Sequence, residues 1–449
     1  MSQIMTDILF ITVDSLRADH VGWHGYERNT TPRLDELAKN AHTFTNSFAN
    51  GCGTNRSFPS IMTSVYPNMY GGYDRLSESQ TTLAEAFRDT GYRTGGFHSN
   101  PYLLGQYGYD RGFDTFYDSN TETSTLARLR QWVKDTLDHD GVTFRTLDWA
   151  FGASEKKAGF NPGTPFVKAD ELTDRAINWA EDQNGDDRFL WVHYMDVHHP
   201  YDPPKEYQLV FRNDVISSRR AVKLRRKMLD SPGAVTDAEL SELVDLYDGE
   251  IRFFDAEATR LIRAVRDQWG SDTVVAVTSD HGDELADHGG FNHHSTYFEE
   301  IIHVPLLIDG DDSSGSHDEI VELLDVAPTL LDYAAIDCPN SYVGSSLKPL
   351  IESDQWNKEH AIIEQVDSHA YRDMRWKYIT RNDGQKALYD LSTDPDEQSD
   401  VSDEYQSVIS EIDQRLEAHK DRVRSTDEEL EGVDIDGTVE DRLEQLGYR

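Results

Sequence analysis

Five short apolar runs, separated by amphipathic stretches, narrow the folds open to this chain. They are residues 8–13, 94–98, 189–194, 273–277 and 304–308. Runs of this length without polar alternation read as strands buried on both faces, the mark of a parallel sheet covered by helices. Residues 31–41 open on Thr-Pro, which starts a helix, and residues 82–90 stop at Gly91. Residues 169–182 and 238–269 are longer amphipathic stretches, the second long enough that a kink is expected. Strand and helix in alternation predict an α/β fold, with a large, mostly parallel sheet flanked by helices on both faces.

After about residue 355 the pattern changes. Residues 360–366, 375–380 and 387–391 are closely spaced strand candidates, followed by a helix near 406–422. They predict a small C-terminal antiparallel α+β subdomain, dividing the chain into 1–355 and 356–449, with an acidic tail from Thr426. Residues 120–165 and 205–235 carry no sheet pattern and read as insertions that shape a substrate entrance.

Charge narrows the partners. The 449 residues hold 43 Lys and Arg against 83 Asp and Glu, a net charge of −40. Such a surface repels nucleic acid and anionic membranes. It also points to a salt-rich cytosol, where carboxylate repulsion is screened. Cys52 and Cys338, the two cysteines, fit neither a zinc pattern nor a disulfide framework. The N-terminus, MSQIMTDILFITVD, reads as a buried strand and not as a signal peptide, and no run approaches the roughly 18 apolar residues of a membrane span. A cytoplasmic location is the expectation.

Four segments carry candidate chemistry. The first strand ends in Asp14-Ser15, which places a carboxylate at the carboxyl edge of the sheet, where ligands bind; capping of the turn is the plainer role. A later strand runs into Ser279-Asp280-His281-Gly282, supplying a hard oxygen and an imidazole for Ca, Mg, Mn or Zn. Gly51–Ser60 sets small residues and hydroxyls just before a helix-like stretch at 60–64. There a nucleophile and an anion gain from the helix dipole, although an ordinary capped loop has the same composition. His193-Tyr194-Met195-Asp196-Val197-His198-His199-Pro200-Tyr201 offers three imidazoles after a strand, for contact with an anion or for proton transfer.

In this order the segments resemble the sulfatase family of the alkaline phosphatase superfamily. The resemblance runs from DILFITVDSLRADHVGWHGYERNTTPRLDELAKNAHTFTNSFAN through FLWVHYMDVHHPYDPP and VVAVTSDHGDELADHGGFNHHSTYFEEIIHVPLLI to VELLDVAPTLLDYAAI, MRWKYITR and ALYDLSTDPDEQSDV. It implies that Asp14, Asp280 and His281 bind one divalent ion (Ca, Mn or Mg before Zn), with a nucleophile completing the shell. It implies that His198 contacts the ester oxygens or assists the leaving group. His293 would bind the anion, with His294 the competing choice.

The nucleophile departs from the family. The formylglycine signature Cys-x-Pro-x-Arg is missing, and alignment through Met62-Thr63-Ser64-Val65-Tyr66-Pro67 puts Thr54 at its first position. A metal-bound Thr hydroxyl can attack directly. A rival register uses Cys52, which keeps the Cys-to-Arg spacing to Arg56 but lacks the Pro. Ser15 replaces the second acid of the family's pair, and Ser99, Asn100 and Pro101 stand near the family's missing Lys and His. The expected activity is metal-dependent cleavage of a sulfate ester on an anionic small molecule or glycan. A phosphodiesterase or phosphoglycerol-transferase-like activity, and an inactive glycan-binding relative, remain the alternatives.

Overall fold

The computed structural model describes residues 6–72, 74–119, 166–183, 185, 187–291, 293, 296–426 and 437–446. The expected insertion at 120–165, His294 and residues 427–436 of the acidic tail lie outside them.

Eight strands form one sheet in the order β4-β3-β5-β1-β6-β7-β2-β8. They are β1 (Ile8–Val13), β2 (His42–Phe48), β3 (Arg93–Phe97), β4 (Thr115–Tyr117), β5 (Arg188–Tyr194), β6 (Val274–Ser279), β7 (Leu306–Asp309) and β8 (Gly315–Glu322). β1 is central and fully buried, parallel to β5 on one side and β6 on the other. Only β7 runs against its neighbours, pairing antiparallel with both β6 and β2. The expected strand at 304–308 therefore exists, shifted by two residues at its start and reversed in direction. Alternate side chains of β1 enter two separate cores. Leu9, Ile11 and Val13 pack on one face, Ile8 and Phe10 on the other.

Helices cover both faces. The helix Asp237–Trp269 starts at a Thr236–Glu239 capping box and runs 33 residues without a break. Its buried stripe, including Leu246, Ile251, Phe254 and Leu261, joins the core that holds Leu9 and Ile11. Residues 205–235 have no strand, as expected, but they are helical, with Lys205–Phe211 and Ser218–Asp230 on either side of a short link.

The small sheet has the order β12-β11-β10-β9, all antiparallel, with β9 (His360–Gln365), β10 (Ser368–Asp373), β11 (Trp376–Arg381) and β12 (Lys386–Asp390). The helix Gln406–Arg424 follows it. Ala361 and Ile363 share an apolar cluster with Phe48, Cys52 and Tyr297. The last helix, Gly437–Leu446, returns to the large sheet, burying Val439 and Leu443 in the core that contains Phe10.

Candidate active site

Val13 pairs with Tyr194 of β5 and with Ser279 of β6, so the three strands end level. Asp14, Met195 and Asp280 emerge together at the carboxyl edge. The chain turns sharply after Asp14 through Ser15, which has φ 62°. The Ser15 amide donates to Asp280 Oδ1 at 3.3 Å, and its hydroxyl donates to Asp14 Oδ1 at 2.9 Å. Tyr247 of the long helix locks the turn. It donates to the Ser15 carbonyl at 2.7 Å and accepts from the Arg17 amide at 3.0 Å. On the β6 side, a Cβ at Gly282 would lie 1.9 Å from the Glu300 carbonyl oxygen, so only glycine lets this loop close.

The helix expected at 60–64 begins earlier, at Thr54, and spans Thr54–Thr63 with Pro59 inside it. Thr54 is therefore its first residue. The Thr54 hydroxyl donates to Asp14 Oδ2 at 3.2 Å and lies 3.4 Å from His281 Nε2. Cys52, two residues earlier, is buried in the apolar cluster with Phe48, Tyr297 and Ile301, and burial pushes its thiol up to about 12. Of the two candidate nucleophiles, Thr54 borders Asp14 and His281, and Cys52 faces the small sheet.

His281 has a defined tautomer. Its Nδ1 lies 2.7 Å from the Gly282 carbonyl, which only accepts, so Nδ1 carries the proton. Its Nε2 then lies 3.6 Å from Asp14 Oδ1 and 3.6 Å from Asp280 Oδ2, too far for hydrogen bonds. His198 is oriented in the same way, Nδ1 donating to the His199 carbonyl at 2.6 Å. The His293 ring stacks on His281 at 4.5 Å and lies 5.5 Å from His198. The fold thus gathers Asp14, Thr54, Asp280, His281, His198 and His293, whereas Cys52 lies away from them.

Two further residues enter the site that the sequence did not single out as ligands. His193 Nε2 lies 3.6 Å from Asp14 Oδ2, and ligand atoms of Asp14, His193 and Asp280 all lie within 4.8 Å of one another. Its register opposite Thr12 on β1 brings it there, with Nδ1 3.0 Å from the Thr12 hydroxyl. The second is Asn100. Its amide donates to Asp14 Oδ2 at 2.8 Å and lies 3.4 Å from the Thr54 hydroxyl. The signal for Asn100 was its place just past β3, near the missing family Lys.

The electrostatics are those of buried charges. Burial pushes the Asp280 carboxyl up to about 6, and the charge of Asp14 adds to this. Burial also raises Asp14, but His198, His193 and His281 outweigh it and hold Asp14 well below the usual carboxylate range. Burial lowers His198 against the pull of Asp14 and Asp283. His293 is driven well down by burial and by its imidazole neighbours. Among the described residues, no Lys or Arg hydrogen-bonds or ion-pairs with Asp14, Thr54, Asp280 or His281. Buried Asp280 Oδ2 accepts no hydrogen bond among the described residues. Asp14, His193 and Asp280, with His281 Nε2 3.6 Å from an oxygen of each carboxylate, form a donor set that fits a divalent cation.

Comparison with known proteins identifies the family. The family described as Sulfatase matches residues 6–336, and N-sulphoglucosamine sulphohydrolase, C-terminal, matches residues 286–422. An arylsulfatase of Clostridium perfringens is 26% identical, covering 92% of this chain and 96% of its own length. Arylsulfatase K of Bos taurus is 25% identical, covering 91% and 81%. The phosphonate monoester hydrolase of Agrobacterium radiobacter shares the fold with TM-score 0.70 at 20% identity, covering 93% of this chain and 96% of its own. A protein solved with its substrate D-glucosamine-2-N,6-O-disulfate shares it with TM-score 0.71 at 18% identity, covering 94% and 99%. With most of its length matched and its acidic strand ends, imidazoles and helix-borne hydroxyl in place, the chain belongs to the sulfatase family of the alkaline phosphatase superfamily.

Proposed function

We propose that this chain hydrolyses a sulfate ester on an anionic small molecule or glycan, with the Thr54 hydroxyl as nucleophile. The observation that carries the reading is the position of Thr54 Oγ1, 3.2 Å from Asp14 Oδ2 and 3.4 Å from His281 Nε2. Asp14, Asp280, His281 and His193 would hold a divalent cation, Ca, Mn or Mg. When bound, such a cation polarises ester oxygens and acidifies a hydroxyl beside it.

The protein groups divide the remaining work. Asn100 fixes Asp14 and Thr54 relative to each other, and Ser15 holds the Asp14 carboxylate from the other side. Thr54 Oγ attacks sulfur as the ester S–O bond breaks in line. The neutral His198 imidazole, its Nδ1 committed to a carbonyl, takes the Thr54 proton on Nε2 and passes it to the departing alkoxide. Water then attacks the Thr54 sulfate ester, and the proton returned to Thr54 Oγ restores the enzyme. His293 contacts the transferring group from beside His281.

The test is turnover of a small aryl sulfate by the chelated protein resupplied with Ca, Mn or Mg. No turnover with any ion sinks the reading. Among the described residues no Lys or Arg pairs with Asp14, Thr54, Asp280 or His281, and this favours one second reading, cleavage of a phosphoric ester. Turnover of an aryl phosphodiester faster than the aryl sulfate would establish it.

A further inference from the structure

The helix Ser218–Asp230 is an electrostatic exception. In a chain of net charge −40 its 13 residues carry six basic side chains and one carboxylate. Ala221, Leu224 and Met228 are buried and seat the helix on the core. Arg220 and Lys227 face the long helix, pairing with Glu239 and Glu242. Arg219, Lys223 and Arg226 are exposed and make no ion pair among the described residues. Their spacing of four and then three residues places them on one outward stripe.

Two observations give the stripe a purpose. The first is its distance from the chemistry. Arg225 Nε lies 3.4 Å from His199 Nδ1, and the His199 ring lies 4.2 Å from His198. The second is its apolar company. Of six exposed large hydrophobic side chains in the described structure, four belong to this region: Leu209, Val210, Val215 and Val222. Val222 lies on the basic helix itself, next to Lys223 in sequence, and exposed apolar surface on a basic helix marks a surface built for contact.

We propose that the helix Ser218–Asp230 is a docking surface for the distal, anionic part of a polymeric substrate, a sulfated glycan chain whose reacting end reaches Thr54. The stripe contacts sulfates further along the chain, and the apolar side chains pack on sugar rings between them. In a protein that otherwise repels polyanions, a local positive face beside the site selects how such a chain enters. The inference rests on the sulfate ester reading above for the identity of the substrate.

The test combines R219E, K223E and R226E in the full-length protein. A second variant, K39E with R88E and R424E, makes the same change in net charge at exposed positions elsewhere. Binding of a heparin oligosaccharide is measured at the lowest salt at which all three proteins stay folded, beside turnover of a small aryl sulfate. The stripe variant is expected to bind heparin at least about tenfold more weakly, with aryl sulfate turnover unchanged and the control variant like wild type. Unchanged binding in the stripe variant, an equal loss in the control, or no heparin binding by wild type overturns the proposal. Stronger stripe-dependent binding to phosphatidylserine vesicles than to heparin overturns it as well. Heparin binding that depends on the stripe, with no aryl sulfate turnover in any protein, upholds the docking surface and removes the catalytic reading alone.

Discussion

Thr54 and Asp14 stand 40 residues apart in the chain, yet the Thr54 hydroxyl donates to Asp14 Oδ2 at 3.2 Å in a fully buried contact. Thr54→Ala removes the hydroxyl and leaves the helix intact. Turnover is expected to fall by at least about 10³-fold with an unchanged melting temperature. Cys52→Ala should keep full turnover. Because its thiol is buried and pushed up to about 12, Cys52 should resist iodoacetamide until the protein unfolds, whereas exposed Cys338 labels in the native state. Loss of activity in Cys52→Ala alone would transfer the nucleophile to that residue.

Asp280 tests the metal site without reference to activity. Asp280→Ala removes one of two buried carboxylates, so the variant should take up no stoichiometric ion after dialysis against Ca or Mn, as read by elemental analysis. Wild type should lose thermal stability on chelation and regain it on resupply, because a ligand that binds only the folded state stabilises it. An Asp280→Ala protein that retains its ion places the cation elsewhere.

Asn100 holds Asp14 at 2.8 Å and lies 3.4 Å from the Thr54 hydroxyl. In Asn100→Ala, the affinity for the ion is expected to fall about 10–100-fold, the range for partners that orient ligands. Asn100→Asp places a third carboxylate against Asp14 and should be worse than alanine for turnover. If Asn100→Ala binds the ion as wild type does, its hydrogen bond to Asp14 has no positioning role.

His288 supplies a pH dependence outside the site. Its Nδ1 lies 2.7 Å from Glu300 Oε1 and its Nε2 lies 3.2 Å from the Asp396 carbonyl, the setting of a protonated ring that ties the β6 loop to the C-terminal region. Burial lowers the ring's proton affinity, but Glu300 and then Glu397 more than compensate and raise it above 6.5. A raised folded-state value means that this stabilisation is fully present below 6.5 and is lost as pH climbs through the folded value. Melting temperature should therefore decline above neutrality. The decline should be shallower in Glu300→Gln, and an identical profile would refute the link.

The net charge of −40 makes a last prediction, that folding depends on salt. Urea midpoints should rise steeply between low and molar KCl as carboxylate repulsion is screened. A midpoint insensitive to KCl rejects the salt-rich setting.

The sequence alone determined the α/β architecture, because β1, β5 and β6 are buried on both faces and so write their burial directly into uninterrupted apolar runs. It also located Asp14 and Asp280, since any residue following such a strand lies at the sheet's edge. The polar strand β2, His-Thr-Phe-Thr-Asn-Ser-Phe, escaped because its pairing with β7 and β8 depends on partners more than 250 residues away. The early start of the Thr54 helix was hidden by Pro59, which lacks the N–H a helix interior normally uses.

Only the tertiary structure set Thr54, and not Cys52, beside Asp14 and His281, and only it brought His193 and Asn100 to Asp14. Periodicity along a chain reports how deeply a side chain is buried. Which buried polar atoms face one another is settled by strand register and helix placement across the whole sheet, and no local pattern encodes that.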